Sequence, residues 1–263
     1  MARMRTLALA GLIMTASCPK PPEPGAEAEA GAERLGPPQP GEWRHAFPEE
    51  PQSFDAYVAA CANRRTAERS VFYLQPLGAA GGRHKATIER LRRYAEAFFG
   101  VPARVCPTIP MFENGWVPQR GQFNSTMGIG QLAESVPPDA LVYAGITDQD
   151  LFARGLHFVF GEGSLKNRCG LYSLARLETD DEGLFLRRAV KLMSHEAGHI
   201  LSIEHCTTYR CLMQGSNSLQ ESDRHPLSLC PLDLRKLRWN TNFDAKERAD
   251  RLFTFYQETG MAP

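Results

Sequence analysis

The sequence predicts an α/β fold with helices packed on a mixed, twisted β-sheet. Two observations support this class: short β-prone runs are separated by segments of helical spacing, and the order is strand, helix, several strands and a second long helix. The predicted strands are Ser70–Leu74, Ala103–Cys106, Leu141–Ile146, His157–Phe160 and Leu171–Leu177.

Apolar residues recur at helical spacing in two long segments. The first runs from Thr87 to Gly100, where Gly100 and Pro102 end it. The second is a long helix defined by Leu186, Ala189, Val190, Met193, Ala197 and Ile200. Shorter helices are predicted near Ser125–Leu132, at Pro231–Trp239, and at Asp244–Gln257, which begins with Asp244 and Glu247 in a capping-box pattern.

Composition is that of a soluble globular protein, with 43% apolar and 23% charged residues. Thirty Lys and Arg residues balance thirty Asp and Glu residues, so no basic surplus favours binding to nucleic acid. A mature region of roughly 240 residues can bury one substantial core, or a core and a small subdomain.

Residues 1–17 are typical of a bacterial signal peptide. A basic start, Met1–Arg5, precedes the apolar run Thr6–Met14, which is too short to span a bilayer in a mature protein. Small residues then precede Cys18, where a signal peptidase would cut. We therefore expect export and a lipid anchor on Cys18. Thr15 stands where lipoprotein signals prefer Leu, so the alternative is an ordinary cleaved signal with an incidental cysteine.

Residues 18–50 are rich in Pro, Gly, Ala and Glu, with almost no bulky apolar residue before Trp43. Such a stretch buries too little surface to offset its ordering entropy, so we predict a disordered tether. After it we expect an N-terminal α/β subdomain over residues 51–202, which carries the active-site helix. A C-terminal subdomain is expected over residues 203–263.

Three histidines and one glutamate carry the chemical signal. His195 and His199 are four residues apart, so on a helix both imidazoles point from one face, separated by about 40° of rotation and about 6 Å of rise. A catalytic zinc needs three protein ligands and an open position for water, so the third ligand must come from another segment. His205 follows after one sharp turn, and Glu196 can reach a water on the same metal. The alternative for two such histidines alone is a solvated or hydrogen-bonded pair.

The spacing of His195, Glu196, His199 and His205, followed by Met213, resembles that of the metzincin metalloproteases. The resemblance implies a metzincin-like zincin fold and a zinc metallopeptidase that acts on peptides or proteins. It also implies that the three histidines bind the catalytic zinc, with Glu196 as general base. Met213 would form the Met-turn, an apolar floor beneath the metal.

A second group of residues is similar to the archaemetzincin family within the metzincins. Cys206 directly follows the third histidine, and Cys211 and Cys230 come further on, in a match that covers residues 194–237. The resemblance implies a small cysteine-bearing C-terminal subdomain in which these three cysteines bind a second, structural zinc. The family uses a fourth cysteine there.

Two positions depart from the family pattern. Ser202 stands where the family has Gly, at the turn toward the third ligand; a positive φ strains a serine, so we expect a slightly shifted turn with the ligand retained. Asp233 stands at the position of the fourth cysteine. A carboxylate can bind zinc, so we favour a site of three cysteines and Asp233. The alternatives are three thiolates plus water, or loss of the zinc with Cys206 and Cys211 oxidised together.

The sequence as a whole predicts an exported, membrane-tethered zinc metallopeptidase. The strand at His157–Phe160 is a candidate edge for pairing with an extended substrate, with an interior strand as the alternative. Gly215 occupies the position of a tyrosine ligand in some metzincins, so oxyanion stabilisation falls to zinc or to a group not identified.

Two other functions stay open: a binding or adaptor module without turnover, and a purely structural zinc or disulfide domain. Disulfides among Cys61, Cys106 and Cys169, the peptide preference and the oligomeric state also stay open.

Overall fold

Eight strands form two sheets in the computed structural model, which describes residues 32–261. The strands are β1 (Val71–Pro76), β2 (Ala103–Val105), β3 (Trp116–Val117), β4 (Gln122–Asn124), β5 (Ala140–Thr147), β6 (Leu151–Phe152), β7 (Gly161–Ser164) and β8 (Cys169–Ser173). The main sheet has the order β2-β1-β5-β8-β7, and β3, β4 and β6 form the small one. The predicted leader and Cys18 lie outside the described residues.

Nine α-helices accompany the strands in the described part of the chain. They are α1 (Trp43–Ala46), α2 (Phe54–Ala60), α3 (Ala80–Arg83), α4 (Lys85–Phe99), α5 (Ser125–Ala133), α6 (Glu182–Ile200), α7 (Leu219–Arg224), α8 (Pro231–Thr241) and α9 (Ala245–Thr259). Within residues 32–261, every helix is too short or too polar to cross a bilayer.

The main sheet is mixed. Strands β2, β1, β5 and β8 run parallel, whereas β7 runs antiparallel to β8 at the edge. All eight residues of β5 are buried, as expected for a central strand of a parallel sheet that is covered on both faces. The predicted α/β class is confirmed.

Residues of β5 pack into two hydrophobic clusters. Val142 and Ala144 join the larger cluster with α4 and α6, whereas Tyr143 joins a smaller one beneath α5. The larger cluster continues into residues after 203, including Leu212 and Leu227. Helix α6, which carries the histidine motif, is thus fixed between the sheet and the C-terminal residues. Burying each Leu or Ile of this kind contributes roughly 1.5–3 kcal/mol.

Two strand predictions need correction. Residues 157–160 form no strand apart from a single bridge between Val159 and Leu151, and the edge strand β7 follows directly at Gly161–Ser164. The predicted strand Leu171–Leu177 starts at Cys169 and stops at Ser173, because the chain turns into a 3₁₀-helix at Ala175–Leu177.

Residues 33–49, called here the N-terminal arm, lie against the C-terminal part of the protein. Arg34 forms an antiparallel bridge with Tyr209, and the backbone N–H of Leu35 donates to the Thr208 carbonyl at 2.9 Å. The structure therefore differs from the predicted disordered tether over these residues. The arm is ordered because its few large side chains, above all Trp43, have specific places to pack.

Candidate metal centres

Helix α6 and the turn after it bring the three predicted histidines together. His195 and His199 project from one face of the helix, with their Nε2 atoms 3.1 Å apart. The His205 ring lies 5.3 Å from that of His195 and 4.7 Å from that of His199, measured between centroids. One ring nitrogen from each histidine lies within 4.8 Å of the other two. The three imidazoles therefore converge, as their spacing in the sequence predicts.

The other ring nitrogen of each histidine has an oxygen partner. His195 Nδ1 lies 3.0 Å from the Leu212 carbonyl oxygen, and His199 Nδ1 lies 2.8 Å from that of Ile203. A carbonyl oxygen only accepts, so both Nδ1 atoms carry the proton and both Nε2 atoms present lone pairs. Two lone pairs facing each other repel, and a shared cation removes that repulsion. The histidine cluster thus fits a divalent metal.

Burial keeps the imidazoles of His195 and His199 neutral. It lowers the pKa of His199 to about 4, and the neighbouring His205 adds to the effect. The pKa of His195 is held well below its usual range, by burial first and then by the other two histidines. Neutral imidazole is the form that ligates metal.

A left-handed residue turns the chain back toward the metal cluster. Ser202 has φ +69°, as predicted for a position that suits Gly. The N–H of Ile203 donates to the Gly198 carbonyl at 3.0 Å, and that of Ser202 donates to the His199 carbonyl at 2.9 Å. These two bonds form a Schellman motif, which ends α6 and directs the next residues to the site.

Side chains that precede β1 satisfy the remaining carbonyls at this helix end, which lie deep in the protein. The three hydrogen bonds run from Gln52 Nε2 to Ser202 O at 3.0 Å, from Tyr57 Oη to Leu201 O at 3.0 Å, and from Asn63 Nδ2 to Ile200 O at 3.1 Å. The position of His205 therefore depends on residues that sequence motifs do not mark.

Glu196 lies beside the histidines in a cavity of about 620 Å³. Burial raises its pKa to about 8, and the negative charge of Glu162 adds to the rise. Burial thus favours the protonated carboxyl, whereas a divalent cation nearby would favour the carboxylate.

The edge strand β7 lies directly over this part of α6. A Cβ at Gly161 would come within 3.1 Å of Glu196 Cγ, and one at Gly163 within 3.0 Å of the Glu196 carbonyl oxygen. Glycine at these two positions lets the strand approach the helix, so the edge of the sheet forms one wall of the cavity.

Met213 is fully buried beneath the helix. A Cβ at Gly198 would lie 2.5 Å from the Met213 sulfur, so the thioether packs where the helix lacks a side chain. The Met213 carbonyl also accepts from the N–H of Cys206 at 2.8 Å. These contacts place an apolar side chain below the histidine cluster.

The second predicted cluster is also assembled. Cys206, Cys211, Cys230 and Asp233 are all buried, with one ligand atom of each within 4.8 Å of the others. Cys211 Sγ lies 3.2 Å from Asp233 Oδ2, and Cys206 Sγ lies 3.8 Å from Cys230 Sγ. All six described cysteines are free thiols, including those outside the two clusters.

Ionisation of the cysteine cluster favours a cation. Hydrogen bonds from Cys211 and Cys230 hold the pKa of Cys206 far below its usual range. The pKa of Cys211 is raised by burial, and that of Asp233 is raised by burial against the opposing charge of Lys236. The lowered pKa of Cys206 favours a thiolate beside three further donors, so the cluster fits zinc.

Sequence motifs missed several residues around the histidine and cysteine clusters. Glu49 contacts His205, and Trp43 lies against Gly215, where a Cβ would come within 2.3 Å of the indole. Lys236 is 2% exposed and donates to Asp233 Oδ1 at 2.8 Å. The one sequence signal for the first two was an isolated tryptophan near the end of an otherwise polar linker.

Comparison with known proteins agrees with this arrangement. A sequence model of the family described as Peptidase family M54 matches residues 134–239. Archaemetzincin-2 of Rattus norvegicus is 33% identical over 270 residues, covering 84% of this chain and 75% of that protein. The archaemetzincin of Archaeoglobus fulgidus is 35% identical over 167 residues, covering 64% of this chain and 98% of that protein.

Two crystal structures of archaemetzincins share the fold. That from Archaeoglobus fulgidus, complexed with malonate, has a TM-score of 0.56 at 35% identity, and covers 63% of this chain and 99% of its own. That from Methanopyrus kandleri has a TM-score of 0.60 at 27% identity, and covers 68% of this chain and 98% of its own.

Together, the fold, the two donor clusters and these similarities define a zinc metallopeptidase that acts on peptides or proteins. Its histidine and cysteine clusters fit one catalytic and one structural zinc ion. More narrowly, the chain belongs to the archaemetzincin family, peptidase family M54. The family and the enzyme class predicted from the sequence are both confirmed.

Proposed function

We propose that His195, His199 and His205 bind the catalytic zinc through Nε2 and that Glu196 is the general base of peptide hydrolysis. The observation that carries this proposal is the pairing of each Nδ1 with an oxygen partner, which leaves the three opposite nitrogens facing one point. Catalytic zinc sites use three protein ligands and keep a fourth position open.

Glu196 supplies the proton transfers. When bound, zinc polarises a peptide carbonyl and lowers the pKa of a water molecule to about 7. The Glu196 carboxylate would accept a proton from the attacking water and deliver it to the leaving amine. The enclosed position that raises the pKa of this carboxyl also makes it a good acceptor of the proton.

The substrate in this proposal is an extended peptide that pairs with β7. This strand is the edge of the main sheet and lines the cavity beside Glu196. Its outer backbone groups can pair with a peptide in the manner of an added strand, which holds the peptide along the histidine cluster.

The second proposed zinc site consists of Cys206, Cys211, Cys230 and Asp233. One carboxylate oxygen of Asp233 faces Cys211, while Lys236 holds the other at 2.8 Å. This orientation favours Asp233 as the fourth ligand over water. The buried ammonium also offsets the surplus negative charge of three thiolates and a carboxylate around one zinc.

Export and attachment to a bacterial membrane through Cys18 complete the proposal. Support comes from the basic start, the apolar run and the small residues of positions 1–17. We expect a palmitate analogue fed to cells to label the full-length protein and not Cys18→Ala. Cys61→Ala, the matched control, should be labelled normally. An unlabelled wild-type protein in the soluble fraction would contradict membrane attachment.

Zinc content and peptide cleavage, measured together, test the catalytic assignment. Wild-type protein should hold two zinc ions and cleave members of a mixed peptide library. His199→Ala should hold one zinc and cleave nothing. Glu196→Gln should keep both zinc ions while cleavage falls by at least about 100-fold, because the amide cannot accept the proton of the water.

Glu182→Gln is the matched control, since Glu182 is an exposed carboxylate at the opposite end of α6. It should keep zinc content and cleavage at wild-type values. Normal hydrolysis by Glu196→Gln would exclude this residue as the base, and two zinc ions in His199→Ala would exclude the histidine site.

A further inference from the structure

The N-terminal arm runs alongside the residues that follow the third histidine. Besides the bridge between Arg34 and Tyr209, the N–H of Arg210 donates to the Glu33 carbonyl at 2.9 Å. Arg44 also donates from Nη1 to the Thr207 carbonyl at 3.5 Å. The N-terminal arm and residues 207–210 are thus held together immediately after His205.

Trp43 fixes the arm at the cavity. Its backbone N–H donates to Oε1 of the buried Glu221 at 2.8 Å, and its indole fills the space that Gly215 leaves open. The indole ring stands edge-on to the His205 imidazole, with centroids 5.3 Å apart. Its Nε1 lies 3.4 Å from Glu49 Oε2, so Trp43 touches both the histidine and the carboxylate beside it.

Glu49 contacts the one histidine of the cluster whose Nδ1 has no backbone carbonyl as partner. Both carboxylate oxygens lie close to His205 Nδ1, at 3.0 and 2.9 Å. His195 and His199 instead rely on the carbonyls of Leu212 and Ile203, which are parts of the core itself. A carboxylate behind a ligating imidazole fixes the ring and its tautomer and increases the basicity of the opposite nitrogen.

We propose that Glu49 is a positioning residue of the catalytic zinc site, which makes the N-terminal arm part of the metal centre. Its carboxylate accepts a hydrogen bond from Nδ1–H of His205 and directs Nε2 toward the other two histidines. This inference rests on the proposed function, because it requires His205 to be a zinc ligand.

The test measures zinc affinity at each site. We expect Glu49→Ala to weaken zinc binding at the histidine site by about 10- to 100-fold, as loss of such a partner does in other metal sites. Glu49→Gln should lose less, because its amide oxygen still accepts from Nδ1. Chelator competition gives the dissociation constants. Cobalt substitution separates the sites, because only the cysteine site gives thiolate charge-transfer absorption.

Glu50→Ala is the matched control, since it removes the adjacent, exposed carboxylate. It should bind zinc as the wild type does. Thermal unfolding of the metal-free variants should be unchanged, because the Glu49 side chain is 36% exposed and belongs to no hydrophobic cluster. This measurement separates a metal effect from a folding defect.

Two results would overturn the inference. One is an affinity of Glu49→Ala equal to that of the wild type, and the other is an equal loss in Glu49→Ala and Glu50→Ala. In both cases the proposed function stands, provided that His199→Ala loses one zinc. A wild-type protein that takes up no metal at the histidine cluster would overturn both together.

Discussion

Ser202 is the residue at which this chain departs most clearly from ideal local geometry. Its φ of +69° is one that glycine adopts freely, whereas a side chain costs about 1–2 kcal/mol there. The Ser202 hydroxyl is also buried without a hydrogen-bond partner in the described residues, which adds to the cost. This turn brings His205 back to the other two histidines, so the geometry of the site lowers the local stability of the chain.

We therefore expect Ser202→Gly to be more stable than the wild type by about 1 kcal/mol. Relief of the left-handed strain is partly offset by the freedom of glycine in the unfolded chain, which costs roughly 0.5–1 kcal/mol. Urea unfolding of the zinc-loaded proteins measures the difference. Ser202→Ala, the control, removes the hydroxyl but keeps Cβ, and should gain less. A less stable glycine variant would show that no strain resides at this turn.

Among the site residues, the sequence predicts only those that lie close together along the chain, where helix or turn geometry fixes their relative positions. His195 and His199 follow from the pitch of a helix, and His205 from one turn. Glu49 stands 156 residues before His205 and lies in no motif, so only the tertiary fold brings the two together. Its contribution could not be predicted from spacing.

Among the elements, the edge strand shows how packing overrides propensity. The prediction placed a strand on the apolar, aromatic residues 157–160, where β-propensity is high. The strand instead forms from Gly161–Ser164, a sequence with two glycines and low propensity. Gly161 and Gly163 are required because α6 lies within van der Waals contact of the strand. Helices α4, α6, α8 and α9 were predicted to within a few residues, because their periodicity or caps are strong.

The N-terminal arm differs from its prediction in another way, because it is ordered where disorder was expected. Its composition indicates disorder, since apolar residues are too few to form a core of their own. A few specific contacts suffice instead: a β-bridge at Arg34, the indole of Trp43 in the space above Gly215, and the carboxylate of Glu49 at His205. Amino-acid composition carries no information about tertiary contacts, so it cannot predict that the folded core offers a surface on which these side chains pack.

At the scale of the whole molecule, the two proposed metal sites share one segment of chain. His205 and Cys206 are consecutive, so a ligand of one site is bonded directly to a ligand of the other. The Cys206 N–H donates to the Met213 carbonyl, which closes the segment into a loop containing Cys211. We expect zinc at the cysteine site to hold this loop in place, so that less conformational entropy is lost at His205 when the catalytic zinc binds.

Zinc at one site should therefore strengthen binding at the other. We expect Cys211→Ser to lose the structural zinc and to bind the catalytic zinc about tenfold more weakly, within the range typical of coupled sites. Chelator titration followed at the histidine site measures this. Cys169→Ser is the matched control: Cys169 is a buried free thiol outside both clusters, so its zinc affinities should match the wild type. Equal zinc affinities of the histidine site in Cys211→Ser and Cys169→Ser would show that zinc binding at the two sites is not coupled.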